Sequence, residues 1–249
     1  MTKNIYFASD FHLGSPNYEE SRLREDRIVK WLDWITPTCS ELFLMGDVFD
    51  FWFEYRYVVP KGFVRLQGKL AQMADSGIKI YFFKGNHDMW VKDYFTKEIG
   101  MQIVSDELVI ERNGKKFYLH HGDGLGPGDQ KYKFLRKVFR NPVCQWLFGI
   151  LPASIGMGIA NRWSAHSRAA SKAEEVFLGE EKEWLAVYAK EQLQKQHFDY
   201  FVFGHRHLPL EIKLNDRSTY VNIGEWLNYQ SYGVFDGEQL RLEYFTSNP

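Results

Sequence analysis

The sequence predicts a mixed α/β fold in which two β-sheets pack together beneath outer helices. Three observations predict it. Short apolar β-runs alternate with helix-period segments over the first third of the chain, which argues for parallel strands with right-handed crossovers. Asn113-Gly114 and Asp236-Gly237 each join two β-runs in the manner of tight hairpin turns. Between about Leu125 and His197 the β-signal lapses, and then it returns.

Asn4 to Ser9 reads as the first strand and runs into Asp10-Phe11-His12. Ile28, Trp31, Leu32 and Ile35 follow at the i, i+3, i+4, i+7 spacing of a core-facing helix. ELFLMGDVFD is a second short apolar run, ending in Gly46-Asp47. Val64, Leu66, Leu70 and Met73 mark a second helix, with Gly77 placed to stop it. IKIYFF is a third strand and enters Gly85-Asn86-His87-Asp88, which taken alone reads as a polar turn. ELVIERNGKKFYLHHGD holds a hairpin, and YFVFGHRH, YVNIG and SYGVFDGEQLRLEYF add the later strands.

The bulk composition narrows the class of protein. A length of 249 residues suffices for one large domain, or one domain with an insertion, and for a sizeable core. A hydrophobic share of 45% with 25% charged residues is that of a globular chain, not a disordered one. The formal net charge of −1 gives no overall attraction to nucleic acid. Cys39 and Cys144 are the two cysteines; far apart and outside any CxxC, they suit a reducing compartment. The N-terminal apolar run is too short for a secretory signal, so a cytoplasmic location is expected.

The helical stretch behaves as an insertion. The expected organisation is a core over 1–124, a helical lid over 125–197 and the rest of the core over 198–249. From Lys131 to Lys172 there are eight basic residues and no acidic one. Within it, the eighteen residues Val143 to Ala160 have only Gln145 and Ser154 as polar side chains, just the length at which a membrane span becomes a candidate. Pro152, Gly149, Gly156 and Gly158 oppose a continuous spanning helix. Two readings fit: a buried helix pair with a solvated basic face, or a lid whose apolar side rests in lipid while its cations face anionic headgroups. On the second reading, Trp146, Leu147 and Phe148 face the lipid.

Five polar clusters each follow a β-run: Asp10-Phe11-His12, Gly46-Asp47, Gly85-Asn86-His87-Asp88, His121-Gly122-Asp123 and Gly204-His205-Arg206-His207. Strand-to-loop edges are where sheet folds of this class bind ligands. A lone His after a strand is ordinarily a core residue, but five clusters of Asp, Asn and His in order point to a common partner. Residues two apart on an extended backbone share a face, so Asp10 with His12, and His205 with His207, can reach one ion. Divalent cations would offset the cost of burying so many ionisable groups together. Oxygen donors mixed with imidazoles, without thiolate, suit manganese, iron or zinc.

DxH, GD, GNHD, HGD and GHxH in this order, from Asp10 to His207, resemble the calcineurin-like metallophosphoesterase superfamily. The resemblance implies a four-layer αββα sandwich and two divalent ions, manganese first, with iron or zinc as alternatives. By that analogy Asp10, His12 and His207 hold one ion, Asn86, His121 and His205 the other, and Asp47 bridges them. His87 becomes the reacting imidazole, as an imidazolium, with Asp88 orienting it. Arg206 is a candidate phosphate contact, against the plainer reading of a surface arginine pointing away. The implied reaction is attack of metal-bound hydroxide on phosphorus. Acid–base help from a residue such as His87 is worth about 10²–10⁴ in rate.

Within the superfamily the chain is most similar to the UDP-2,3-diacylglucosamine pyrophosphohydrolases of lipid A synthesis, through GDVFDFW, the motif spacing and the place and length of the insertion. NPVCQWLFGILP and IANRWSAHSRAASK resemble that family's lid. The resemblance implies a peripheral enzyme of the inner membrane's cytoplasmic face, with a lipid-linked UDP-sugar as substrate. It implies sugar and phosphate contacts at Ser167, Arg168, Ser171 and Lys172. Many members of that family carry Arg where this chain has His87, and GEWLNY (Gly224 to Tyr229) also departs from their pattern. The alternatives are a phosphodiesterase or phosphatase of a nucleotide or phosphoprotein, or a metal-free protein-binding member of the fold; no expected ligand position is missing, which opposes the last.

Overall fold

A computed structural model describes residues 3–127, 130–171 and 176–246. The first half is β1 (Asn4–Ala8), α1 (Tyr18–Ile35), β2 (Cys39–Leu44), α2 (Val64–Asp75), β3 (Lys79–Phe83), α3 (Tyr94–Ile99) and β4 (Gln102–Val104). A hairpin of β5 (Leu108–Arg112) and β6 (Lys115–Leu119) follows, then three helices, α4 (Gln130–Arg140), α5 (Pro142–Ile150) and α6 (Ala153–Ser171). The chain closes with α7 (Trp184–Leu193), β7 (Tyr200–Phe203), β8 (Pro209–Asn215), β9 (Ser218–Ile223), β10 (Ser231–Phe235) and β11 (Leu240–Tyr244).

One sheet has the order β11-β10-β1-β2-β3-β4, with β1 to β4 parallel; the other runs β5-β6-β7-β9-β8, with β6, β7 and β9 parallel. Alternation within the strands decides the layers. Ile5 and Phe7 of β1, with Phe43, Tyr81 and Phe83, meet Phe117, Leu119, Val202 and Val221 between the sheets. The alternate residues Tyr6, Ala8, Leu42, Leu44, Ile80 and Phe82 pack under Ile28, Trp31, Leu32, Ile35, Leu66 and Leu70 of α1 and α2. Strands buried on both faces read as continuous apolar runs, which is why no polar alternation marks them. On the far side, Tyr118, Phe201 and Tyr220 lie against Leu185, Ala186 and Ala189 of α7. The αββα sandwich is thus observed.

Asn113 and Gly114 have φ of 51° and 73°, as a type I′ hairpin needs. The expected lid over 125–197 takes in α7, but α7 is an outer layer of the sandwich, whereas Phe139 of α4 and Phe148 of α5 pack over Phe53, Met89 and Trp90 at the strand-end loops. The first helix begins at Tyr18, ten residues before its apolar stripe, and is capped by Asn17, whose side chain accepts the Glu20 N–H. No described helix is long and apolar enough to cross a membrane.

Candidate metal centre

The five polar clusters sit at the carboxyl ends of β1, β2, β3, β6 and β7. The first three strands are neighbours in one sheet and the last two in the other, so parallel pairing brings all five ends to one edge. Loop-to-loop hydrogen bonds then draw them together. Asp10 N–H donates to Gly46 O at 3.0 Å, His12 N–H to Asp47 O at 2.9 Å, and Gly204 N–H to His121 O at 2.8 Å. His205 N–H donates to Asp10 Oδ2 at 2.9 Å, joining the two sheets.

Asp10, His12 and His207 form one group able to hold a cation, and Asp47, His121 and His205 another. His12, Asp47 and His87 make a third that overlaps the first two. Asp47 Oδ2 lies 3.8 Å from His12 Nε2 and 3.5 Å from His121 Nε2, so it stands between the two sides. Asn86 Oδ1 is 3.2 Å from His121 Nε2. All seven sequence-predicted ligands therefore converge. Five of them, Asp10, His12, Asp47, His205 and His207, have φ between 44° and 65°. Non-glycine residues pay about 1–3 kcal/mol each for such backbone, which persists where the surroundings over-determine it.

Polar atoms at this edge lack the partners that burial demands. Asp10 Oδ1 is buried with no hydrogen bond, yet faces His207 Nε2 at 3.3 Å and His12 Nε2 at 3.7 Å. Those two Nε2 atoms are 3.0 Å apart, so lone pairs oppose each other unless a proton or a cation intervenes. Burial opposes charge on Asp10, but the adjacent His12 and His207 rings and the charges of His207 and His121 hold its pKa well below the carboxylate range. Burial lowers and Asp47 raises His121, and the net is a rise to about 10. His205 is pushed down to about 4 by burial and by His121. Both carboxylates stay anionic, and protons on imidazoles, that of His121 above all, meet their charge here, a role that a divalent cation would take over. Two carboxylates, an amide oxygen and four imidazoles fit divalent cations.

Beside this edge opens an apolar cavity of about 650 Å³. Asn86 and His87 form its polar end, and Phe51, Trp90, Phe139, Phe148 and Trp163 are among its walls. The α4–α6 helices thus roof the metal-ligand edge with an apolar chamber.

The Calcineurin-like phosphoesterase family matches this chain over residues 3–209. The chain belongs to the calcineurin-like phosphoesterase family. Among curated relatives, a UDP-2,3-diacylglucosamine hydrolase of Porphyromonas gingivalis is 38% identical over 98% of this chain and 98% of its own. Enzymes of the same name are 28% identical in Haemophilus influenzae, over 92% and 93% of the two chains, and in Vibrio cholerae, over 96% of each. Among solved structures, the phosphoesterase Yfce of E. coli covers 95% of this chain and 90% of its own, with 17% identity and a TM-score of 0.46.

Seen as a calcineurin-like phosphoesterase, the chain departs from several expectations. Asp88 does not orient His87. Its carboxylate instead accepts N–H groups from Gly85 at 2.8 Å, Val48 at 2.8 Å, and Asp47 and Phe49 at 3.3 Å, pinning the β2 and β3 loops together. Burial and the charge of Asp47 push it up to about 7. His87 is instead held by Asp50, whose carbonyl lies 2.9 Å from Nδ1, and by Ser164 of α6 at 3.0 Å. A carbonyl only accepts, so Nδ1 carries the proton. Burial lowers the pKa of His87, so the resting ring is neutral and not the expected imidazolium.

Arg206 is neither a surface arginine nor turned to a phosphate. It is 5% exposed and its Nε donates to Glu183 Oε2 at 3.0 Å, with the guanidinium 4.5 Å from the Trp184 ring. His120 accepts Gly122 N–H at Nδ1, and burial lowers it to about 4, so it serves the turn before Asp123. Phe148 does not face outward: its ring lies 4.7 to 4.8 Å from those of Trp90 and Phe53. The side chains of Ser167, Arg168 and Ser171, and Lys172 altogether, lie outside the described residues. Asp50 and Ser164 escaped the sequence reading; the Asp50 of GDVFD was a visible acid, and it holds His87 through its main chain while its carboxylate faces His12 Nδ1 at 3.6 Å.

Proposed function

We propose that this protein hydrolyses the pyrophosphate of UDP-2,3-diacylglucosamine, releasing UMP and 2,3-diacylglucosamine 1-phosphate. Water adds across the P–O–P bridge: its oxygen joins one phosphorus, and the bridging oxygen leaves with the other. The observation that carries the reading is the cavity of about 650 Å³ whose apolar walls end at Asn86 and His87. That volume lies within the roughly 300–1,000 Å³ of ligand pockets, and its lining suits hydrocarbon chains attached to a phosphorylated head. Full-length similarity to hydrolases of that substrate supports the same reading.

Asp10, His12 and His207 would hold one divalent ion, Asn86, His121 and His205 the second, and Asp47 would serve both. Bound there, such ions supply Lewis acidity toward phosphate oxygens and lower the pKa of water, from about 15.7 to about 7 in the strongest case; manganese is the first choice, then iron or zinc. The neutral amide of Asn86 completes the donor set without adding negative charge against an anionic substrate. With Nδ1 of His87 committed to Asp50, Nε2 is the atom that takes a proton and gives it to the departing phosphate oxygen. Trp90, Phe139 and Phe148 exclude water from the acyl side. Ser167, Arg168, Ser171 and Lys172 remain the proposed contacts to sugar and phosphate.

The same reading seats the protein peripherally on an anionic membrane, at the cytoplasmic face of the inner membrane. No residue of α5 is buried, and Trp146 and Leu147 are 65% and 54% exposed. Lys133, Arg136, Lys137 and Arg140 of neighbouring α4 line a basic hollow of their own, in which Arg136 and Arg140 pair with Asp106. Apolar and cationic surface side by side is the composition of an interfacial helix.

The deciding experiment incubates the protein and Mn²⁺ with UDP-2,3-diacylglucosamine and, separately, with a generic aryl phosphodiester. UMP release from the first with far slower turnover of the second supports the proposal. Equal rates, or no UMP, would refute it.

A further inference from the structure

Two arginines that touch none of the reacting groups stand behind the metal-ligand loops. Arg24 of α1 is 5% exposed. Its Nε donates to Phe11 O at 2.7 Å, and its Nη2 donates to His12 O at 2.7 Å and to Ser15 O as well. Its hydrogen bonds therefore go to three main-chain carbonyls of the loop that carries Asp10 and His12. Burial lowers its pKa, opposed by the more distant charges of Asp50 and Glu225.

Arg206 plays the matching part on the other sheet. It lies between His205 and His207, bonds Glu183 through Nε, and donates from Nη2 to Val176 O at 3.2 Å. Glu183, 2% exposed, is braced in turn by the Tyr220 hydroxyl at 3.3 Å. Glu183 directly precedes α7, and Val176 lies between α6 and α7, on the return from the roofing helices.

Burying a guanidinium costs its hydration, and a planar fork of donors is hard to replace by the point charge of lysine. Arg24 grips one loop and Arg206 anchors the other from within, and the ligands of both sit in left-handed backbone: Asp10 and His12 for the first, His205 and His207 for the second. Neither loop would keep that conformation unaided.

We propose that Arg24 and Arg206 are positioning residues for the two metal-ligand loops, and that Arg206, through Val176, ties one loop to the segment returning from the roof. The inference rests on the metal centre proposed above. Arg24 acts on Asp10 and His12, ligands of one ion and not of the other. Arg206 acts on His205 and His207, which serve different ions.

Mn²⁺ titrated calorimetrically into metal-stripped wild type, Arg24→Lys and Arg206→Lys tests this, alongside melting curves with and without Mn²⁺. Arg24→Lys should weaken one of two sites about 10–100-fold, the range for loss of a residue supporting metal ligands. Arg206→Lys should weaken both, and each variant should lose part of the Mn²⁺-induced rise in melting temperature. Glu183→Gln, which leaves Arg206 in place but removes its charged partner, should give a milder form of the Arg206→Lys result and keeps the test alive if a lysine variant fails to fold. Wild-type affinity at both sites with only a lower metal-free melting temperature would make the arginines props of the fold and overturn the inference. A wild-type protein that binds no divalent cation would instead overturn the metal centre itself.

Discussion

Gly85→Ala is a one-carbon perturbation aimed at the residue shared by both proposed ions. A Cβ at Gly85 would overlap Asp47 Oδ1 and lie 2.8 Å from Asp47 Cγ. Carbon–carbon contacts are comfortable at about 3.5–4.0 Å, so the carboxylate would have to retreat by roughly 0.7 Å or more. That carboxylate cannot retreat freely. Its Oδ1 accepts the His87 N–H at 2.8 Å, and its Oδ2 stands 3.5 Å from His121 Nε2. Overpacking of this kind costs about 1–3 kcal/mol, which lowers the melting temperature of a chain this size by roughly 2–12 °C. Ligand distances tolerate only about ±0.2 Å, so metal retention should fall, and turnover should drop on the order of 100-fold. Gly158→Ala is the control, because nothing lies within 4 Å of a Cβ there, and it sits inside α6. It should leave activity alone and gain about 0.5–1 kcal/mol from helix propensity. Manganese content after desalting, melting curves and UMP release would be measured on all three proteins. A Gly85→Ala protein with wild-type metal content and turnover would refute the placement of Asp47 between the two ions.

Asp88→Asn should lower unfolding free energy by about 1–3 kcal/mol, since an amide puts a donor where N–H groups already point; denaturant melts decide, and an unchanged midpoint would contradict its role as a pin. Asn86→Asp should hold metal at least as tightly yet raise KM, because a full charge about 4–8 Å from a phosphate is worth roughly 2–4 kcal/mol at an effective dielectric of about 20. Steady-state kinetics with an unchanged KM would count against the amide as a charge-sparing ligand. Trp146→Ser with Leu147→Ser should abolish co-sedimentation with anionic vesicles while leaving the melting temperature within a degree or two, as both side chains are exposed. Phe148→Ser should do the reverse, weakening the packing on Phe53 and Trp90 by about 2–4 kcal/mol. Vesicle binding that ignores the first pair would remove α5 from the membrane surface.

The ends of the strands were legible because each is an apolar run stopped by polar residues, and Asp10, Asp47, Asn86, His121 and His205 all follow such stops within a few positions. The Asn113-Gly114 turn was legible for the same local reason. Directions of side chains beyond the strands were not. Arg206 could be placed between two ligands but not aimed, since its partner Glu183 is 23 residues away in a stretch that reads only as helical. Asp50 positions His87 through a carbonyl that every residue possesses, so that contact is invisible in the sequence, although its carboxylate also faces His12 Nδ1 at 3.6 Å. Asn17 and Glu20 did carry a readable capping signal for α1, ahead of the apolar stripe used to locate it. β4, with three residues, and β8, an edge strand opening with Pro209, are too short or too mixed for periodicity to reveal.

Pairing of Asp10 with His12 was predicted from the alternation of an extended strand, and the two do meet, but by another route. Both lie beyond β1 in left-handed backbone, so it is the turn of the loop and not the pleat that brings them together. In that turn Asp10 presents Oδ2 to His205 N–H at 2.9 Å while Oδ1 faces His207 Nε2 at 3.3 Å, both across the gap between the sheets. Each proposed ion consequently draws on both sheets: Asp10 and His12 from one with His207 from the other, and Asn86 from one with His121 and His205 from the other. Packing of Phe7, Phe43 and Phe83 against Phe117 and Val202 fixes the spacing of the sheets, and hence of the ligands at their edge. A chemistry that needs seven side chains within bonding reach of two ions is therefore set by an apolar interface that contains none of them.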